Sequence, residues 1–205
     1  MESRELPHGV VDFATADRCK RSDRIPYLPS LGAGASLLDV FRSFPESSKP
    51  LIEYHEVLLR GASPFNEAQR ELIAAYVSGL NHCNYCHGVH TATAERLGIE
   101  EGLVSKLLEH FDTAEVTDEM KPVLRYARKL TEQPGSIGQA DADAVLAAGW
   151  DESAIFHTVA VTALFNFMNR LVEGLGIEFN PAYAREASQR LAEKGYLPLL
   201  NMLER

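Results

Sequence analysis

Cysteine is scarce in this chain. There are three in 205 residues, Cys19, Cys83 and Cys86. Three thiols cannot close a disulfide framework, so the fold must be held by its core. Basic residues are short as well: 20 Lys plus Arg stand against 29 Asp plus Glu, a formal net charge of −9. An acidic chain is a poor partner for phosphate backbones or anionic lipid unless it carries a local basic patch. The densest basic stretch, Arg18, Lys20, Arg21 and Arg24, is diluted by Asp17 and Asp23. Neither nucleic acid nor membrane is therefore expected as a partner. Long apolar runs are missing too. The longest charge-free stretch, between Glu152 and Arg170, is short for a bilayer and broken by His157, Thr158, Thr162, Asn166 and Asn169. The start, Met1-Glu2-Ser3-Arg4-Glu5, has no apolar segment of the secretory kind. A cytoplasmic location is the expectation. No Gly-rich phosphate loop is visible, and neither a cofactor nor a resident metal is expected.

What is present is helical. Hydrophobic residues make up 45% and charged residues 24%, an ordinary globular balance. Apolar residues recur at helical spacing, and no period-two run bounded by turn residues is found. After an irregular start punctuated by Pro7, Pro26 and Pro29, a short helix carries Leu37, Leu38, Phe41 and Phe44 and ends near Pro45. A second carries Leu51, Ile52, Tyr54, Val57, Leu58 and Leu59 and stops at Gly61. Asn66 and Gln69 fit a capping box for a third, expected to end near Gly79. Further helices are expected over 84–97, with Gly98 following, and over 100–111. Thr117 is read as the cap of a sixth, Asp141 of a seventh and Asp151 of the longest, which runs to about Glu173. A last helix follows Pro181. The fold class is all-α: a helical body over 33–178, an irregular extension over 1–32 and a helical arm over 179–205.

One cluster carries chemistry. Residues 81–90 read Asn-His-Cys-Asn-Tyr-Cys-His-Gly-Val-His, with two cysteines and three histidines. Cys83 and Cys86 are i, i+3 at a helix start, and Cys86 and His90 are i, i+4 on one face. A helix N-terminus favours thiolate, and a nearby histidine or relayed carboxylate can take the thiol proton. Those are the needs of a nucleophilic thiol with a resolving partner. Glu71 reaches this group only if the chain folds back between them, and Gly79 and Asn81 offer the break. A zinc site is the rival reading, although no second pair of ligands exists to close a tetrahedron. His82 and His87 read as rim residues, His55 and His110 have no chemical neighbours in sequence, and His157 reads as a core histidine. Cys19 reads as a small residue of the N-terminal extension.

Glu71, eleven residues, Cys83-x-x-Cys86, three residues, His90 resembles the signature of the alkyl hydroperoxidase D family, within the carboxymuconolactone decarboxylase-like superfamily. The flanks 58–61, 70–78 and 163–170 resemble its uncharacterised peroxidase-related branch. The resemblance implies an all-helical homo-oligomer that reduces organic hydroperoxides in antioxidant defence. It implies Cys86 as the peroxidatic thiol, Cys83 as the more exposed resolving thiol, and Glu71 with His90 as the proton relay. An external dithiol or protein reductant would restore the pair. Tyr85 stands where the founding enzymes carry histidine; a phenol is a poor base at pH 7 but can donate a hydrogen bond to a peroxide oxygen. Decarboxylases of the superfamily lack the cysteine pair. The alternatives are a thiol-disulfide oxidoreductase without peroxide activity, and a non-enzymatic oligomeric binding protein with metal at the cysteine and histidine cluster.

Overall fold

A computed structural model of the chain describes residues 26–203, so Cys19 and most of the N-terminal extension lie outside the described residues. Ten α-helices and no strands make up the described part. They are α1 Leu37–Ser43, α2 Pro45–Arg60, α3 Glu67–Leu80, α4 Asn84–Arg96, α5 Leu103–Glu109, α6 Met120–Glu132, α7 Gln139–Ala147, α8 Glu152–Gly174, α9 Pro181–Lys194 and α10 Pro198–Leu203.

The axis of the fold is α3. Its start is fixed as the sequence predicts: Asn66 Oδ1 accepts from the Gln69 amide at 2.8 Å, and Gln69 Oε1 accepts from the Asn66 amide at 2.9 Å. From Arg70 to Ser78 every residue is buried. A helix buried on all sides needs neighbours on all sides. Here α4, α5, α6 and α8 supply most of them, and α9 covers the outer face of α4. Leu72, Ile73, Tyr76, Val77, Leu124 and Phe165 form the centre of the core.

Several local expectations need correction. α3 ends near Gly79 as expected, with Asn81 as its C-cap, but Gly79 itself is still inside the helix. A Cβ there would stand 2.4 Å from Leu108 Cδ1 and 3.1 Å from His87 Nδ1, so glycine permits the close packing of α4 and α5. The turn is made three residues later by His82, whose φ of 55° is left-handed. The Cys83 amide then bonds back to the Ser78 carbonyl at 3.0 Å, which closes the end of α3. Thr117 is not a side-chain cap. Its carbonyl, not its hydroxyl, accepts from the Met120 amide, and α6 begins at Met120. Asp141 lies inside α7, where its carboxylate accepts from the Gly138 amide at 2.8 Å and from Lys129 Nζ at 2.7 Å. The 100–111 helix is shorter than expected because Gly102 adopts a φ of 79°.

The longest helix, α8, is capped by Asp151, whose carboxylate accepts from the Ala154 amide at 3.0 Å. It extends past the charge-free stretch to 23 residues and is long and apolar enough to cross a membrane by length and composition alone, with a mean hydropathy of 1.2. Half of that apolar window is buried inside the bundle, as in a core helix. The C-terminal stretch is not detached from the body. The Tyr196 and Leu197 amides both bond to Glu56 Oε2, at 2.6 and 3.2 Å, which pins the segment to α2.

Candidate active site

The hairpin of α3 and α4 carries the reactive side chains, and asparagines hold its tip. Asn81 Nδ2 donates to Asn166 Oδ1 at 3.1 Å and to Asn169 Oδ1 at 2.9 Å, and Asn169 Nδ2 donates to Ser78 Oγ at 2.9 Å. The end of α3 is thereby tied to α8, and the 81–84 turn has a fixed height against the core.

Glu71 and His90 meet across the hairpin. His90 Nδ1 is 2.7 Å from Glu71 Oε2. Arg60 Nη2 donates to Glu71 Oε1 at 2.7 Å, and the Tyr196 hydroxyl donates to the same oxygen at 2.9 Å. Glu71 is fully buried. Burial pushes its carboxyl up, but His90 and Arg60 outweigh it and bring the pKa down to about 2. An ionised carboxylate can only accept, so the proton between the two residues sits on His90 Nδ1. In the neutral ring, Nε2 is then the free acceptor. Sequence reasoning found neither Arg60 nor Tyr196 as site residues; Arg60 lay in a stretch noted only for family likeness.

On the other side of His90 lies a cavity of about 70 Å³, room for a few waters or a small organic group. Cys86, His90, Tyr85, His55, Tyr183 and Tyr196 line it among aliphatic and aromatic side chains. Phe165 stands edge-on to the His90 ring at 4.5 Å. Phe165 and Met168 line the cavity, while Phe167 is 53% exposed on the other face of α8. His55 is buried with Nδ1 on the Leu51 carbonyl at 2.7 Å, and burial brings its pKa down to about 4, so it is neutral at pH 7.

Both thiols are free and buried. Cys83 is 0% exposed and Cys86 3%, so Cys83 is not the more open of the two. Only Cys86 lines the cavity. The neighbouring Cys83 and then burial push the Cys86 thiol well above the usual range, and Asn169 offsets this only in part. The helix N-terminus, expected to favour thiolate, does not prevail against these effects. No hydrogen bond joins Cys86 to His90 among the described residues.

Tyr85 also faces the cavity, 5.8 Å ring to ring from Tyr183. Burial, then Tyr183, push its phenol well above the ordinary value, so it is a proton donor and not a base. His82 is exposed, and His87 is half-buried with Nδ1 on the Ala75 carbonyl at 3.1 Å.

A Cys-x-x-Cys-His run, not expected from the sequence reading, is in fact present. Cys83-Asn84-Tyr85-Cys86-His87 has the spacing of c-type haem attachment. The geometry does not fit that group: Cys83 is fully enclosed, His87 is turned to the α3 backbone, and the cavity beside Cys86 is far smaller than a porphyrin. Among the described residues, no group of three or more His, Cys, Asp or Glu side chains is placed to hold a metal ion.

Comparison with known proteins agrees with the all-helical fold. Residues 45–132, which span α2 to α6, match the Carboxymuconolactone decarboxylase family. The matched segment includes Glu71, Cys83, Cys86 and His90. An uncharacterized peroxidase-related protein from Silicibacter sp. TM1040 is 26% identical, with a TM-score of 0.68 over 72% of this chain and 78% of its own. A second uncharacterized peroxidase-related protein, with an alkylhydroperoxidase AhpD core, comes from Ralstonia eutropha JMP134. It is 21% identical, with a TM-score of 0.66 over 71% of this chain and 78% of its own. The debrominase Bmp8, solved with 2,3,4-tribromopyrrole, is 17% identical, with a TM-score of 0.62 over 76% of this chain and 81% of its own. No curated protein matches the sequence.

Proposed function

We propose that this protein is a thiol-dependent peroxidase that reduces organic hydroperoxides through Cys86 and Cys83. The observation that carries the reading is a small, mostly apolar cavity shared by Cys86 and His90, with an ionised, fully buried Glu71 behind the histidine. The entering hydroperoxide bridges the thiol and the imidazole. His90 Nε2 takes the Cys86 proton, and the Glu71 carboxylate stabilises the imidazolium. The thiolate attacks the distal oxygen: an S–O bond forms, the O–O bond breaks, and the leaving alkoxide takes the proton from His90. Products are Cys86 sulfenic acid and ROH. Tyr85 donates to a peroxide oxygen. The Cys83 thiol then attacks the Cys86 sulfur, an S–S bond forms, and water leaves. An external dithiol reduces the bridge and completes the cycle.

Burial of both thiols supports a small-molecule oxidant over a protein disulfide as the partner of Cys86. The reading places the protein in a reducing compartment, the cytoplasm. Exposed Phe156 and Phe167 on α8, 62% and 53% accessible, support a homo-oligomer in which a partner covers that face.

The test is hydroperoxide consumption with dithiothreitol as reductant. Wild type turns over, and Cys86→Ser falls to background. Cys83→Ser forms one sulfenic acid at Cys86, trapped by a dimedone-type probe, but does not cycle. A wild type that reduces model disulfides and consumes no hydroperoxide would sink the proposal in favour of a thiol-disulfide oxidoreductase. Probe labelling at Cys83 alone would reverse the two roles.

A further inference from the structure

The lining of the cavity contains one permanent charge, Arg190 of α9. Glu71 is shielded behind His90, and His55 is neutral. Arginine holds its charge at every accessible pH. Its Nε is buried and has no hydrogen-bond partner. Among the described residues no carboxylate pairs with it, although Glu186 and Glu193 border the same stretch of surface. Arg60 Nε is likewise unpartnered, but its guanidinium is neutralised by Glu71 through Nη2, and buried Arg70 is bonded to the Leu58 and Gly61 carbonyls, whereas Arg190 has no such anchor. A guanidinium left with an open donor beside an apolar cavity is a position awaiting an acceptor.

Arg190 also lines an outer groove, together with Gln189, Lys194 and Pro198. It therefore stands at the boundary between the cavity and solvent. A ligand whose reacting end lies at Cys86 must pass this side chain to reach the groove. Planar, bidentate geometry makes a carboxylate the matching group.

Resting on the peroxidase reading, we propose that Arg190 is a specificity residue that selects hydroperoxides carrying a carboxylate. The hydroperoxide group sits between Cys86 and His90, a short apolar stem fills the cavity, and the carboxylate pairs with Arg190 at its mouth. Any longer substituent runs out into the groove along α9. The cavity of about 70 Å³ restricts the enclosed part to a few heavy atoms.

The test compares two probes with the same tertiary hydroperoxide end, 4-hydroperoxy-4-methylpentanoate and its neutral methyl ester. In wild type kcat/KM is expected to favour the carboxylate probe by tenfold or more. In Arg190→Met that ratio should fall towards one, with the change in KM, and Arg190→Lys should restore part of it. A merely structural role would lower both probes alike and leave the ratio, and that result would overturn the proposal. A second readout needs no turnover. The inert 4-methylpentanoate should slow alkylation of Cys86 in wild type and not in Arg190→Met. If wild type consumes neither probe but shows this protection, the peroxidase reading fails and the carboxylate site stands. If 4-methylpentanoate protects neither protein, or protects both equally, the site at Arg190 is refuted.

Discussion

The two sides of His90 are built on opposite plans. On the Nδ1 side, Glu71 receives three donors from three separate elements, at 2.7, 2.7 and 2.9 Å. On the Nε2 side, Cys86 lacks a bond to the histidine, and Arg190 Nε has no partner. The first side resembles a structural polar network in which both Glu71 oxygens are engaged, although Arg60 Nε there is also without a hydrogen-bond partner. The second is incomplete until a ligand enters. The contrast explains why the thiol rests protonated although a base stands nearby. On the proposed reading, proton transfer is held until a hydroperoxide bridges the gap.

Removing the charge on the complete side gives the largest expected effect. Glu71→Gln leaves His90 without a counter-charge for the imidazolium, and kcat/KM should fall by ~100-fold, the usual size of a lost acid–base contribution. The alkylation profile of Cys86, read on a Cys83→Ser, Cys19→Ser background, should move to higher pH, and activity should recover partly there. Arg60 would lose its buried partner as well, at a cost of about 3 kcal/mol in urea unfolding. Superimposable alkylation profiles for the two proteins would show that the network is structural only.

His55 tests whether the cavity side is as dry as its lining implies. Its pKa is brought from 6.5 down to about 4, by burial first and further when His90 is protonated, against the pull of the Leu51 carbonyl and of Glu71. A folded-state pKa below the unfolded one means that the unfolded chain binds the extra proton. The associated stability is full above pH 6.5 and is lost as pH falls towards 4, by up to about 3 kcal/mol. Glu71 adds its own loss in a lower window, between about 4.5 and 2. In His55→Leu the loss between pH 6.5 and 4 should be largely absent from urea midpoints. Parallel curves for variant and wild type would mean that water reaches the ring.

Much of the open side was legible in the sequence, and little of the closed side was. Cys83, Cys86 and His90 fall on one helix start, where spacing alone decides which side chains share a face. The Asn66–Gln69 box and the Asp151 cap are equally local. Arg60 and Tyr196 bond to Glu71 over separations of 11 and 125 residues, and neither is flanked by anything that marks it. Buried ion pairs are set by the packing of α2, α3 and the C-terminal stretch, which composition and periodicity do not specify. His82 was missed as the turn for a related reason. A non-glycine residue at a φ of 55° has no sequence marker, whereas Gly79 reads as a break although the packing against Leu108 is what requires a glycine there.

The smallest expected effect is the most discriminating for the C-terminal stretch. Tyr196 is buried, its hydroxyl donates to Glu71 Oε1 at 2.9 Å, and its backbone is pinned by Glu56. Tyr196→Phe removes one hydrogen bond and keeps the ring, so stability should fall by only about 1 kcal/mol. Glu71 would still hold Arg60 and His90 and would stay ionised. Its Oε1 would be freer to turn, and the His90 ring less firmly aimed at the cavity. The expected loss in kcat/KM is roughly threefold to tenfold, the kinetic equivalent of that one bond. The Cys86 alkylation profile should keep its shape and move by less than in Glu71→Gln. If Tyr196→Phe instead matches Glu71→Gln in both rate and profile, the phenol and not the guanidinium is what keeps the carboxylate in place. A variant equal to wild type in all three measurements would reduce the C-terminal stretch to a cover over α2, with no part in holding the relay.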